Sequence, residues 1–334
     1  MPGEVLVLRE PQIRKLLDPA GCIEAVERAF SAYASGKAEL PAVINLDIPE
    51  RGGEIHIKAG HLYGGSHYAV KIASGFPANE ESRQPINSGM VIVFNAKTGA
   101  PAAFLLDNGF ITDLRTAAAG AVAAKHLARK NSRILAIIGS GGQARYQTKL
   151  LSLVRPLDEV RIWGRNADRA KACAHELSAS RDIAKGTRVL AAENVEHAIE
   201  GADIVVTVTA SREPLVRAKW LSAGVLVISV GSDSPDKREL HTDVLVRADR
   251  IVADSLPQCL RLGEIHHASE AGAIPSQKDI TELGEITSGK KPGRLNDKEI
   301  IVCDLTGVGV QDVAAANLVF ERAQAAHVGD VLAL

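Results

Sequence analysis

The spacing of hydrophobic and polar residues divides the chain into an amphipathic helix, a β-rich stretch and a long alternation of strands and helices. In residues 19–36, Ile23, Val26, Phe30 and Tyr33 recur at helical spacing and make one apolar face. Asp18 stands where a cap is needed, Pro19 suits the first turn and Gly36 can stop the helix. The period then drops to two. Residues 54–58 and 68–72 alternate, which predicts strands and sets Lys71 on the face opposite Val70 and Ile72. Residues 90–95 and 100–106, separated by Ala96-Lys-Thr-Gly99, predict a hairpin. This first region reads as α+β with an antiparallel sheet.

Residues 112–129 are an alanine-rich helix with high intrinsic propensity. Short, largely apolar runs follow at 134–138, 159–163, 203–208, 225–230, 250–253 and 299–303, with helical segments such as 168–178 between them. Strands that alternate with helices predict a parallel, doubly wound sheet. A second glycine-containing turn at 304–312 precedes a last helix expected over 313–326. The predicted fold is α/β: a Rossmann-type doubly wound sheet, residues 126–304, inserted into an α+β domain made of 1–125 and 305–334.

Within the alternation, Gly139-Ser-Gly-Gly-Gln-Ala144 lies between a strand and a helix. This is the context in which G-x-G-x-x-G/A signifies dinucleotide binding. Gly139 allows the tight turn, and Gly141 lets backbone approach a pyrophosphate seated on the helix N-terminus. Ala144 permits close helix–strand packing. Gly139, Gly141 and Gly142 are therefore candidate cofactor residues.

Composition narrows the partners. With 39 basic and 40 acidic side chains the net charge is −1, which argues against nucleic acid and against an anionic membrane. No apolar run approaches a membrane span. The opening Met1-Pro-Gly-Glu-Val lacks a basic segment followed by a long apolar core, so no signal peptide is expected. Cys22, Cys173, Cys259 and Cys303 are widely spaced, as suits reduced, buried thiols in a cytoplasmic protein. His266 and His267 are adjacent, and sequence neighbours point apart on a helix or a strand, so no metal site is expected.

Four motifs in this order carry a family resemblance: Leu114-Arg-Thr-Ala-Ala118, the glycine loop, Gly231-Ser-Asp-Ser-Pro-Asp-Lys-Arg-Glu-Leu240 and Gly307-Val-Gly-Val-Gln-Asp312. The chain resembles the ornithine cyclodeaminase/mu-crystallin family from about residue 29 to 318. Trp163-Gly-Arg165, Leu262-Gly-Glu-Ile-His-His-Ala268 and Val302-Cys-Asp-Leu-Thr-Gly307 look most similar to the cyclodeaminase-like proteins of ectoine-utilisation clusters. The resemblance implies a nicotinamide cofactor, a homodimer, and an outer domain for substrate binding and dimerisation. It also implies one of several reactions: cyclodeamination, ketimine or pyrroline-carboxylate reduction, or amino-acid dehydrogenation. A non-catalytic ligand-binding protein of the mu-crystallin kind is a further reading.

The resemblance assigns roles by position. Asp233 matches the aspartate that handles the substrate amine as acid and base, a task within a carboxylate's reach; the other reading is a helix N-cap. Lys71 matches a catalytic lysine that binds the substrate carboxylate. Arg115 can grip a carboxylate in a fork or a cofactor phosphate. Lys237, Gln143, Thr207, Val230 and Leu305 match cofactor contacts, and Thr306 a substrate contact.

Two departures bear on the substrate. The family's cyclodeaminases carry an arginine where this chain has Pro41-Ala-Val-Ile-Asn45, and a common Met-Pro pair appears as Ile57-Lys58. Lys58 is the candidate replacement as a second carboxylate ligand, or else a solvated charge. The family's nearby glutamate does not align with Glu54, which leaves ornithine itself open. For the cofactor, the end of the second strand holds Gly164-Arg165-Asn166 instead of the acid that would bind a ribose 2′-hydroxyl. Arg165 can pair with a 2′-phosphate, so NAD(P) with NADP(H) favoured is expected; the other reading is a surface arginine.

Overall fold

The structure, a computed structural model, describes residues 4–80, 82, 84–274 and 280–333. Residues 1–3, part of the stretch examined for a signal peptide, lie outside them. Backbone contacts divide the chain into two compact units, residues 1–115 with 308–334, and residues 116–307.

The first unit begins with β1 (Glu4–Arg9), α1 (Glu10–Leu16) and α2 (Pro19–Ala34). Asp18 caps α2 as its sequence position predicts, its carboxylate accepting from the Gly21 amide at 2.8 Å, and Gly36 adopts φ +67° just beyond the end. Strands β2 (Ala38–Glu39), β3 (Ile44–Ile48), β4 (Gly53–Leu62), β5 (His67–Gly75), β6 (Asn87–Asn95) and β7 (Pro101–Leu106) follow, then α3 (Phe110–Leu127), of which the residues up to Arg115 belong to this unit. Their sheet has the order β1, β7, β6, β5, β4, β2, with β3 also on β4. It is antiparallel except where β1 runs parallel to β7.

The second unit repeats strand and helix: β8 (Ile134–Ile138), α4 (Gly142–Val154), β9 (Glu159–Trp163), α5 (Ala167–Ser178), β10 (Arg188–Ala191), α6 (Val195–Ile199), β11 (Ile204–Thr207) and β12 (Leu226–Ser229). Next come α7 (Thr242–Arg247), β13 (Arg250–Ala253), α8 (Leu256–Cys259), α9 (Gly263–Glu270), β14 (Thr281–Glu282), α10 (Leu283–Thr287) and β15 (Ile301–Asp304). Every pair in the sheet β10-β9-β8-β11-β12-β15-β13-β14 is parallel. The burial of Leu135–Ile138 in β8 and of all of β11 and β12 explains the largely apolar segments, because a parallel sheet is covered on both faces. This is the doubly wound Rossmann-type fold that the alternation predicts.

The chain then returns to the first unit through α11 (Gly309–Ala326) and β16 (Asp330–Ala333), which pairs with β1. The helix begins four residues before the expected start at Val313, so Gln311 and Asp312 are helical instead of part of a turn. Two glycines make room for it. A Cβ on Gly309 would stand 2.5 Å from the Ala59 carbonyl, and one on Gly60 would stand 3.1 Å from Val313. The pair brings α11 down onto β4 and carries its first turn to the sheet. The four cysteines are buried thiols, and among the described residues no helix is long and apolar enough to cross a membrane.

Candidate functional site

In the first unit, register decides which side chains meet. Lys58 on β4 stands directly opposite Lys71 on β5, which stands opposite Val91 on β6. The alternation does place Lys71 away from Val70 and Ile72, yet the more deeply buried face is the lysine's: Lys71 is 3% exposed while its two neighbours are only half-buried. The charge is accommodated because α11 brings a carboxylate to it. Asp312 lies 3.3 Å from the Lys71 ammonium and accepts from Arg115 Nε at 2.9 Å. The same guanidinium donates to Gln311 Oε1 at 2.7 Å.

Lys71, Arg115 and Lys58 all act on Asp312. Burial lowers the Lys71 ammonium to about 7, with Asp312 opposing that drop and Arg115 and Lys58 reinforcing it. Burial by itself would raise Asp312, but Arg115, then Lys71 and Lys58, outweigh it and hold the carboxyl below its usual range. Three cations thus act on one carboxylate. Two lysines directly across a ladder repel one another, and a second anion between them relieves that repulsion. Asp107, buried at the start of α3, is a further acid in this unit; burial raises it to about 6, against the pull of the Ile111 amide that it caps at 2.7 Å.

In the second unit the glycine loop lies at the carboxyl end of β8, beside β11, where the strand order changes direction and ligands of such sheets bind. Gly139 is held between neighbours. Its amide donates to the Trp163 carbonyl at 2.7 Å, and at φ +135° any Cβ would stand 2.7 Å from the Val208 carbonyl. Gly141 is the N-cap of α4 with no side-chain cap, and neither it nor Gly142 would bring a Cβ within 4 Å of anything. An exposed, uncapped helix start of this kind offers its amides to an anion. Gly164 is buried against Ser140, so the end of β9 reaches the same loop. Arg165 is exposed next to it, and Asn166 is committed to capping α5 through the Arg169 amide at 3.0 Å. The cradle that side chains would fill fits a dinucleotide pyrophosphate.

Asp233 follows β12 and buried Val230. It caps no helix; its carboxylate takes the Lys237 ammonium at 2.8 Å and remains 43% exposed. Two other assignments change. The Thr207 hydroxyl is wholly buried and donates to Glu239 at 2.6 Å. The Thr306 hydroxyl is 2% exposed, donates to Asp254 at 3.0 Å and accepts from Gln258 at 2.9 Å. Both hydroxyls therefore tie loops together instead of facing a ligand. Buried Leu305 donates its amide to the Ser229 carbonyl at 2.9 Å.

The sequence reading misses a set of buried acids at this carboxyl edge. Glu239 accepts from four groups: the Thr207 hydroxyl, the Thr209 amide at 2.6 Å, the Thr209 hydroxyl at 2.8 Å and the Gly231 amide at 2.8 Å. It thus pins the end of β11 to the end of β12. Glu264 in turn accepts from the Glu239 and Leu240 amides at 2.7 and 3.1 Å. Burial, then the Glu239 charge, raises Glu264 to about 8, and burial carries Asp304 well above the carboxylate range. A Glu inside the Lys-Arg-Glu-Leu run was the available signal, masked by its charged neighbours.

The two adjacent histidines do not point apart. His266 and His267 lie in the second half of α9 with ring centroids 5.2 Å apart, and Glu270 joins them. A helix separates successive residues by about 100°, which two long rings can bridge by leaning together.

A profile of the ornithine cyclodeaminase/mu-crystallin family matches residues 4–327. The chain belongs to this family. An uncharacterized cyclodeaminase of Sinorhizobium fredii is 41% identical over 327 residues, 97% of this chain and 98% of the relative. The Thermococcus litoralis Δ1-pyrroline-2-carboxylate reductase, solved with NADH and L-proline, has a TM-score of 0.91 at 34% identity, covering 98% of this chain and 99% of that one. An archaeal alanine dehydrogenase dimer with bound NAD has a TM-score of 0.89 at 34% identity, covering 99% of each. Ornithine cyclodeaminase/mu-crystallin proteins thus include redox enzymes that share the fold of both units.

Proposed function

We propose that this protein is an NAD(P)-dependent enzyme of amino-acid metabolism that acts at the Cα carbon of a small diamino acid in the manner of a cyclodeaminase. The observation that carries the reading is the buried convergence of Lys71 and Arg115 on Asp312, which sets an ammonium and a guanidinium side by side where a substrate carboxylate can bind. Lys71, Arg115 and Lys58 take the substrate carboxylate. The Gly139–Gly142 loop and Gln143 hold the cofactor diphosphate, with Gly164, Val230, Leu305 and Lys237 lining the rest of its binding surface. A bound nicotinamide supplies the hydride acceptor and donor at Cα. Asp233, paired with Lys237, takes the proton from the substrate amine and returns it as ammonia leaves, while the side-chain amine closes the ring.

A second reading, reduction of a ketimine or imino acid, is favoured by Glu54. It is half exposed and lies 3.7 Å from His56, so it offers no dry anchor for a second ammonium. The names of the two solved relatives point the same way. One experiment separates the readings: small diamino acids are incubated with catalytic cofactor, and ammonia is measured against nicotinamide absorbance. Ammonia without net cofactor reduction supports cyclodeamination. Stoichiometric NADPH oxidation by a cyclic imine supports the reductase. Neither signal, with cofactor still bound, returns the protein to a ligand-binding role.

Exposed Arg165 beside buried Gly164 favours NADP(H). A binding titration in which NAD(H) is clearly preferred overturns this. The protein is also proposed to be a homodimer. The face of the first sheet away from Lys71 carries Ile44 and Leu46, 60% and 50% exposed, beside half-buried Ile57, Ile72, Met90 and Ile92. An apolar sheet face of this extent is typical of a subunit contact, and the archaeal alanine dehydrogenase is a dimer.

A further inference from the structure

We propose that His266, His267 and Glu270 bind one zinc ion and that this site is coupled to the segment carrying Asp233. One ligand atom from each of the three residues lies within 4.8 Å of the others. The hydrogen bonds around the rings show which nitrogens are left to bind a metal when the rings are neutral. His266 Nδ1 contacts the Leu260 carbonyl at 3.2 Å, and His267 Nε2 contacts the Lys237 carbonyl at 2.8 Å. A carbonyl oxygen only accepts, so each of these nitrogens carries its proton. That leaves Nε2 of His266 and Nδ1 of His267 as lone-pair donors in the neutral rings.

The arrangement is the one metal-binding histidines use: the remote N–H is fixed by a backbone carbonyl, which sets the tautomer and the ring orientation. His266 Nε2 moreover lies 3.4 Å from Glu270 Oε2. An imidazole nitrogen and a carboxylate oxygen facing one another attract when a proton or a metal cation lies between them, so this pair can hold either. Two imidazoles and a carboxylate suit Zn²⁺, with water in the fourth position. Tetrahedral ligands at zinc stand about 3.4 Å apart, a separation that His266 and Glu270 already have. Glu270 is 68% exposed, which leaves the site open to solvent.

The coupling follows from one shared residue. The Lys237 carbonyl is held by His267, and the Lys237 ammonium is held by Asp233. A zinc ion on Nδ1 makes the opposite N–H a stronger donor, tightening its bond to that carbonyl. Occupancy therefore restrains the Asp233–Lys237 segment.

The test uses full-length, untagged protein and zinc alone, by calorimetry and by metal analysis after dialysis. The expected result is one zinc per chain. His266→Ala and His267→Ala each weaken binding at least tenfold, and Glu270→Ala weakens it less. Zinc raises Tm in the parent but not in either histidine variant, while metal-free variants keep the parent's circular dichroism. Absence of stoichiometric zinc, or binding that both histidine substitutions leave unchanged, overturns the site. Zinc that binds without slowing amide exchange at residues 233–237 overturns the coupling. These readouts do not depend on which substrate the enzyme takes.

Discussion

At the residue scale, Lys71 carries the most information. Its ammonium sits near 7 in the folded chain against an ordinary 10.5, chiefly through burial. Below pH 7 it is charged in both states, and its burial is a standing cost. As pH rises from about 7 towards 10.5, the folded lysine is neutral while the unfolded one keeps its proton, so this group's contribution to stability increases with pH. Carboxylate capture has the opposite sign, because it needs the charged form. We expect kcat/KM to fall about tenfold per pH unit above 7. Lys71→Arg should move that limb to higher pH, and Lys71→Met should abolish it along with most activity. An unchanged profile in Lys71→Arg rejects the assignment. Lys58→Ala should raise the substrate KM about tenfold, as expected for one charge-assisted hydrogen bond; an unaltered KM removes Lys58 from the site. The residue types and the strand period were legible here. The depth of Lys71 was not, because alternation tells which residues share a face but not which face a distant helix covers.

At the scale of elements, the carboxyl edge of the parallel sheet is organised by acids, not by the threonines that first drew attention. Glu239 joins the ends of β11 and β12 through four donors. In Glu239→Gln the carboxamide nitrogen cannot accept, which strands some of those buried donors at about 1–3 kcal/mol each. Tm should drop by several degrees in Glu239→Gln and further in Glu239→Ala. Activity should fall through kcat more than through cofactor KM, since the glycine loop lies on another strand. A variant with the parent's Tm and kcat would show that Glu239 holds nothing in place. The glycine loop, its strand and its helix were all readable in advance, because they form one continuous segment whose neighbours in space are its neighbours in sequence. The Glu239 network was not, because its donors lie eight to thirty-two positions away.

At the scale of the whole molecule, the two units differ in how their sheets are finished. The second sheet is parallel, with buried strands along its middle. The first has one face under α11 and another bearing exposed Ile44 and Leu46. That second face predicts the assembly. Ile72→Glu places a charge in its middle, opposite Ile57 and Met90. Light scattering should report a dimer for the parent and a monomer or weakened dimer for the variant. A monomeric parent, or a variant that dimerises equally well, rules out this interface. A cavity of about 520 Å³ lies elsewhere on the first unit and shares no lining residue with the Lys71 cluster, so its size points to no chemistry.

Local pattern alone determined the first long helix and its cap, the hairpin, the strand–glycine–helix element and the alternating order of the second unit. Each is set by short-range periodicity, by capping or by the steric freedom of glycine. Tertiary structure decided the rest. The start of α11 moved to Gly309 because two glycines let a helix approach a strand two hundred and fifty residues away. Asp312 then became the counterion of Lys71 and Arg115, a role no turn residue could fill. Thr207 and Thr306 turned inward to buried acids, and two adjacent histidines converged because the carbonyls of Leu260 and Lys237 orient their rings. Apart from the Leu260–His266 contact, these outcomes depend on contacts between segments distant in sequence, and neither periodicity nor spacing encodes those contacts.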